Sequence, residues 1–150
     1  MSTTWTDLFG DELLTKDGVQ PTTKVLADKK VVGIYFSAHW CPPCRAFTPV
    51  LTQTYDELKE EHPDLEIVFV SSDREESAFA GYYSEMSFTA LPYVQRDKKS
   101  ELAAKYEVKS IPTLVFLNDK GELIEREGRH FIAGAEGDIE KIWSHLTAQK

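Results

Sequence analysis

The chain has 150 residues, 41% of them hydrophobic, which is enough for one ordinary domain with a core that needs no metal or disulfide support. Its 25 acidic and 17 basic residues leave a net charge of −8 without blocks of like charge, so neither a nucleic-acid surface nor a charged tail is expected. The first fifteen residues lack the basic and apolar regions of a secretory leader, and no apolar run approaches the roughly 18 residues of a membrane helix, so the expected location is the cytoplasm.

A single domain over residues 1–150 is expected, without repeats or linkers. Thr4 to Leu14 reads as a short helix, followed by the turn Lys16-Asp17-Gly18 and an extended stretch from Val19 to Thr22. Val31 to Phe36 is the first central strand. Phe47, Val50/Leu51, Tyr55 and Leu58 then stripe a helix that ends before Pro63 and that Pro49 should kink. Leu65 to Val70 is a second central strand, and Ser71-Ser72-Asp73 reads as a loop and helix cap leading into a helix through about Tyr83. An extended Leu91-Pro92-Tyr93-Val94 precedes a helix over about Lys98 to Tyr106. Thr113 to Leu117 and Glu122 to Glu125, joined by Asn118-Asp119-Lys120-Gly121, read as a β-hairpin. Ile139, Ile142/Trp143 and Leu146 stripe a C-terminal helix. Strands alternating with helices early and a hairpin late predict an α/β fold: a mixed central sheet with helices on both faces.

The two cysteines of the chain fall in Trp40-Cys41-Pro42-Pro43-Cys44-Arg45, between the first central strand and the helix that follows it. A strand, a turn and a helix in that order place Cys41 where backbone N–H groups are unpaired and carry partial positive charge, which favours a thiolate. Pro42 and Pro43 suit a first helical turn, where a missing N–H costs nothing, and they stiffen the loop between the sulfurs. Lowering a thiol from a pKa of about 8.5 to about 7 raises its ionised fraction roughly 15-fold at neutral pH, but the accompanying loss of nucleophilicity returns roughly 5-fold. The larger gain is geometric, because Cys44 attacks the resulting mixed disulfide within one molecule.

Other readings fit less well. A structural disulfide closing so short a ring stabilises by only about 2 kcal/mol. Zinc needs four ligands, and His39, His62, His130 and His145 show no ligand spacing. Haem attachment requires histidine where Arg45 stands. Two inert buried thiols are a poor fit to a Pro-Pro turn. A lone CxxC pair in a reducing compartment points to redox chemistry.

The run Phe36-Ser37-Ala38-His39-Trp40-Cys41-Pro42-Pro43-Cys44-Arg45-Ala46-Phe47-Thr48-Pro49 resembles the thioredoxin superfamily, specifically its tryparedoxin and nucleoredoxin branch. Ser71-Ser72-Asp73-Arg74, Phe79-Ala80-Gly81-Tyr82-Tyr83, Met86 and Ala90-Leu91-Pro92-Tyr93 resemble a segment that this branch carries and shorter thioredoxins lack. Ser110-Ile111-Pro112-Thr113-Leu114 is similar to the superfamily's cis-proline loop. The resemblance implies a thioredoxin-like three-layer sandwich in which the Ile111–Pro112 bond is cis and lies against the dithiol. It also implies that backbone beside Pro112 pairs with a substrate like an added strand, and that Trp40 shares the docking surface. The alternatives are an ordinary strand-start proline for Pro112 and a core or interface residue for Trp40.

Two departures from the branch stand out. Thioredoxins place a buried aspartate before the dithiol to move the resolving thiol's proton, whereas this chain has Tyr35, as tryparedoxin-like proteins do. A tyrosine of pKa about 10 is a poor base, so water or the leaving Cys41 thiolate is the expected acceptor. Tryparedoxins carry Trp-Asp-Glu where Ser72-Asp73-Arg74 stands, which is closer to nucleoredoxin. Arg129 matches an arginine that tryparedoxins hold near the site, where it would meet a substrate carboxylate; a solvated surface arginine is the alternative. His39 would either tune Cys41 or stand exposed without a partner.

The resulting expectation is a thiol–disulfide oxidoreductase, a monomer without metal or bound cofactor, with Cys41 attacking and Cys44 resolving. Its substrate-binding residues would be Trp40, Pro42, Pro43, Ile111, Pro112 and Arg129. Substrates would be disulfide-containing proteins, peroxidases among them, and the reductant a low-molecular-weight dithiol, glutathione or a flavoprotein reductase. The alternative is a redox-switched binding protein with little turnover.

Overall fold

The computed structural model describes residues 4–148, the side chain of Thr4 excepted. Its elements in chain order are α1 (Thr4–Phe9), β1 (Glu12–Thr15), β2 (Gly18–Pro21), α2 (Thr22–Val25), β3 (Val31–Ser37), α3 (Pro42–Glu61) and β4 (Leu65–Ser71). There follow α4 (Glu76–Tyr83), β5 (Thr89–Ala90), α5 (Arg96–Lys105), β6 (Thr113–Asn118), β7 (Leu123–Glu125), α6 (Gly128–Ala135) and α7 (Ile139–Ala148). The strands form one mixed sheet in the order β2-β1-β5-β4-β3-β6-β7. β3 runs parallel to β4 and antiparallel to β6, and all seven residues of both β3 and β4 are buried.

Alternation along the strands sends side chains to two cores. Tyr35, Phe69, Leu114 and Phe116 face one side with Phe47 and Leu51 of α3, Phe79 and Tyr82 of α4, Ile132 of α6 and Ile142 of α7. Ile34, Phe36, Val68, Val70 and Val115 face the other with Trp5 and Phe9 of α1, Leu26 and Leu102. Helices therefore cover both faces, the expected α/β sandwich of thioredoxin type.

The N-terminal reading is corrected. The helix ends at Phe9, Gly10 turns left-handed at φ +83°, and Leu13 and Leu14 belong to a strand hairpinned onto β2 through Lys16-Asp17. Leu14 pairs with Ala90 of β5, so the hairpin completes the sheet edge through a contact distant in sequence. The segment expected to extend from Leu91 to Val94 pairs only just before that point, at Thr89–Ala90, and then turns. The helix α6 has no counterpart among the elements expected from sequence, because its two glycines weaken it locally. A Cβ at Gly128 would lie 2.6 Å from the Leu114 carbonyl oxygen, so only glycine lets α6 approach β6 this closely. α3 runs unbroken through Pro49.

Candidate active site

Three loops meet at one end of the sheet. The parallel strands β3 and β4 both end there, at Ser37 and Ser71, and antiparallel β6 starts there, at Thr113. The loops are 38–41, 72–74 and 110–112, and the site lies outside the carboxyl ends of parallel strands, as in other open α/β sheets.

Cys41 occupies the N-cap of α3 in extended conformation, with Pro42 and Pro43 as the first two helical residues, both exposed. Cys41 and Cys44 form a disulfide. The Cys44 backbone N–H donates to the Cys41 sulfur at 3.4 Å, so an unpaired amide of the first turn points at the atom that would carry negative charge after reduction. Cys41 retains 5% exposure and Cys44 none, an asymmetry that gives an incoming disulfide access to Cys41 only. The Ile111–Pro112 peptide is cis, and the Ile111 carbonyl oxygen lies 4.0 Å from the Cys41 sulfur. The implied cis-proline loop is therefore present and beside the disulfide.

Around the Cys44 carbonyl lies a chain of hydroxyls. Thr48 Oγ1 is 3.0 Å from that oxygen, 2.7 Å from the Tyr35 hydroxyl and 2.6 Å from the Tyr82 hydroxyl, and Tyr82 is 2.7 Å from Ser37 Oγ. Thr48 has one proton to give. With that proton on the Cys44 carbonyl, Tyr35 and Tyr82 donate to Thr48 and Ser37 donates to Tyr82, so every hydroxyl in the chain donates once. Burial raises the Tyr35 pKa well above its ordinary 10, with the neighbouring Tyr82 adding to the shift. Tyr35 is thus even less of a base than its chemistry suggests.

Beside Cys41 the arrangement is ionic. Asp73 is 4% exposed; one carboxylate oxygen accepts the His39 backbone N–H at 2.9 Å and the other accepts the Ser71 hydroxyl at 2.7 Å. Tyr93 donates to the Asp73 carbonyl, and Arg96 donates through Nη1 to the Ser71 carbonyl and stacks on the Tyr93 ring with its central carbon 3.9 Å from the centroid. Burial lowers the Arg96 pKa from its ordinary value, with Tyr93 and Asp73 opposing the shift. The reading of Asp73 as a helix cap is corrected: α4 starts after Glu75 without a side-chain cap, and Asp73 instead ties the loop before Trp40 to the end of β4. Sequence carried little signal for this, since an aspartate after a strand is ordinarily solvated.

Trp40 is 50% exposed, its indole N–H donates to the Ser72 carbonyl at 3.1 Å, and the Arg74 guanidinium lies 5.2 Å from its ring. The core placement of Trp40 is excluded. His39 is exposed, as expected, but has a partner: its ring meets Tyr82 edge-on at 5.5 Å. Arg129, half-buried on α6, lines a cleft of about 180 Å³ with Ser110 and Pro112, next to the cis-proline loop. Among the described residues no group of three or more His, Cys, Asp or Glu side chains is placed to hold a metal, and no helix is long and apolar enough to cross a membrane.

Residues 28–123 match the family model described as thioredoxin-like. Mouse nucleoredoxin is 46% identical over 112 residues, 75% of this chain but 26% of its own, so the chain spans about a quarter of the nucleoredoxins it matches. Tryparedoxin of Trypanosoma brucei brucei is 44% identical over 118 residues, 78% of this chain and 80% of its own. The solved structure of tryparedoxin II complexed with glutathionylspermidine is similar at a TM-score of 0.77 and 35% identity, covering 84% of this chain and 87% of that one.

Proposed function

The chain belongs to the thioredoxin-like family, with nucleoredoxins and tryparedoxins as homologues, and from that premise we propose that it is a thiol–disulfide oxidoreductase working through Cys41 and Cys44. The observation that carries the reading is the Cys41–Cys44 disulfide at the start of α3, with one sulfur reachable and the Cys44 amide aimed at it.

In the reduced protein the Cys41 thiolate attacks one sulfur of a substrate disulfide, forming a mixed disulfide and releasing the other substrate sulfur as thiolate. Cys44 then loses its proton and attacks the Cys41 sulfur. This closes the Cys41–Cys44 bond and expels the second substrate thiolate, so two electrons leave the protein and two thiols are formed. Tyr35, with its raised pKa, does not take the Cys44 proton. Water does, or the departing substrate thiolate; Cys41, bonded first to substrate and then to Cys44, is no thiolate in this step and does not. Trp40, Pro42, Pro43, Ile111 and Pro112 form the docking surface around the reachable sulfur, and Arg129 meets a substrate carboxylate from the adjoining cleft. The cycle needs no metal or bound cofactor, since the electrons reside in the sulfurs.

The substrates are disulfide-containing proteins, peroxidases among them, and the reductant is a low-molecular-weight dithiol, glutathione or a flavoprotein reductase. The glutathionylspermidine held by a homologue supports a small thiol as reductant. A cytoplasmic monomer with a single domain over residues 1–150 completes the reading. A second reading, supported by similarity to nucleoredoxin, is a binding protein whose partner affinity follows the redox state of the same pair.

The test is trapping. Cys44→Ser is expected to arrest the mixed disulfide on Cys41, seen by mass, while Cys41→Ser forms almost no adduct and loses insulin-reducing turnover. Equal adducts on both variants would overturn the assigned roles. Negligible wild-type turnover with partner capture that depends on oxidation would select the binding protein.

A further inference from the structure

The two stretches of chain that carry the dithiol and the cis-proline loop contain no carboxylate. Residues 31–55 carry one charged side chain, Arg45, and residues 108–118 carry one, Lys109. All 25 acidic residues of a chain with net charge −8 lie outside them. Asp73, the acid tied to this face, is buried, with both carboxylate oxygens occupied by His39 N–H and the Ser71 hydroxyl. The two stretches are therefore cationic on an acidic molecule, and the nearest lining carboxylate, Glu127, belongs to the separate cleft of Arg129.

Beside Cys41 runs an open groove of about 470 Å³ with Phe36, Trp40, Ala103 and Val108 in its apolar lining. Its charged lining residues are Lys99 of α5 and Lys109, and no carboxylate lines it. Lys98 donates to the Asp7 carbonyl and pairs with Glu101, whereas the half-buried Lys99 and the exposed Lys109 have no ion-pair or side-chain hydrogen-bond partner among the described residues. Arg74, its guanidinium 5.2 Å from the Trp40 ring, adds a third cation beside the groove, outside its lining.

Resting on the disulfide-reductase reading, we propose that this groove seats an extended acidic polypeptide segment flanking the disulfide of a protein substrate. Lys99, Lys109 and Arg74 meet its carboxylates, and the apolar lining takes the side chains between them. Lys99 and Lys109 line an open groove and exposed Arg74 stands beside its Trp40, and at such solvent-facing positions a single ion pair contributes little. Selectivity therefore accumulates over several carboxylates along a chain, which favours a polypeptide over a small thiol.

The test is single-turnover reduction, by the fully reduced protein, of three synthetic peptides sharing one disulfide ring and flanked by Glu, Ser or Lys. At low ionic strength the Glu peptide is expected to react roughly tenfold faster than the Lys peptide, with Ser between, and the ratio to fall toward one at about 0.5 M salt. Lys99→Glu with Lys109→Glu is expected to invert the order, with thermal unfolding as the check on folding. If that pair does not fold, Lys99→Gln with Lys109→Gln is expected to flatten it. Equal wild-type rates for the Glu and Lys peptides would overturn the proposal and leave the reductase reading standing. Failure to reduce the Ser peptide would overturn the reductase reading and the proposal with it. Glutathione disulfide losing as much rate as the Glu peptide in the charge variants would overturn the polypeptide assignment.

Discussion

Around the Cys44 carbonyl the protein buries four hydroxyls and no charge, whereas beside Cys41 it buries a carboxylate and half-buries a guanidinium. The hydroxyl chain runs from Ser37 to the Cys44 carbonyl with each proton used once, so its desolvation is offset locally and it holds the first turn of α3 without a charge under the resolving thiol. The ionic cluster is more expensive. Its carboxylate is tolerable in the interior because both oxygens accept, yet Arg96 Nη2 is left without a partner. In return the cluster joins loops from two strands that sequence separates by more than thirty residues, His39 to Asp73. The hydroxyl chain spans as far, Ser37 and Thr48 to Tyr82, but touches backbone only at the Cys44 carbonyl, whereas the ionic cluster fixes backbone of two separate segments, the His39 N–H and the Ser71 carbonyl.

If that contrast is right, the ionic side breaks harder. Asp73→Ala, which strands the His39 N–H and the Ser71 hydroxyl, is expected to cost about 3 kcal/mol, read as a fall of roughly 6–12 °C in Tm. Asp73→Asn, which keeps an acceptor for His39, should lose about half as much in denaturant titration. A loss for Asp73→Ala no larger than that of a single hydroxyl would erase the distinction between the clusters. Tyr82→Phe removes two bonds from the hydroxyl chain and is expected to cost about 2 kcal/mol by the same titration. Tyr35→Phe removes the 2.7 Å bond to Thr48 and a long 3.4 Å contact with the Cys44 carbonyl, and should cost about 1 kcal/mol. Because Tyr35 is no base, its loss is expected to change the Cys44 resolving step less than threefold in stopped-flow; a loss of a hundredfold would assign it the proton. Trp40→Ala, at a half-exposed side chain, is expected to move stability by less than about 0.5 kcal/mol while raising KM for protein disulfides, a split that separates docking from folding.

Much of this is legible in the sequence. The β-branched run at Val31–Phe36, the apolar stripe of α3 and the Asn118–Gly121 turn carry their own periodicity, and the elements follow. The dithiol was legible because its chemistry is compressed into four consecutive residues at a strand-to-helix turn, which also place Cys41 at an N-cap. The hairpin β1–β2 was not, because the apolar residues of Glu12–Thr15 find their partner in Ala90. Nor was α6, whose first glycine makes sense only beside the Leu114 carbonyl.

What sequence alone determined is what local spacing encodes: an α/β chain, a redox pair of cysteines, and a tyrosine in place of the buried acid of thioredoxins. Tertiary structure decided the rest. It buried Asp73 and aimed it at His39, joined Thr48 to Tyr35 and Tyr82, and set Lys99 and Lys109 along one groove with Trp40. Each of those contacts links segments remote in the chain, and whether a polar side chain is solvated or pinned depends on which backbone folds over it, a property no window of neighbouring residues contains.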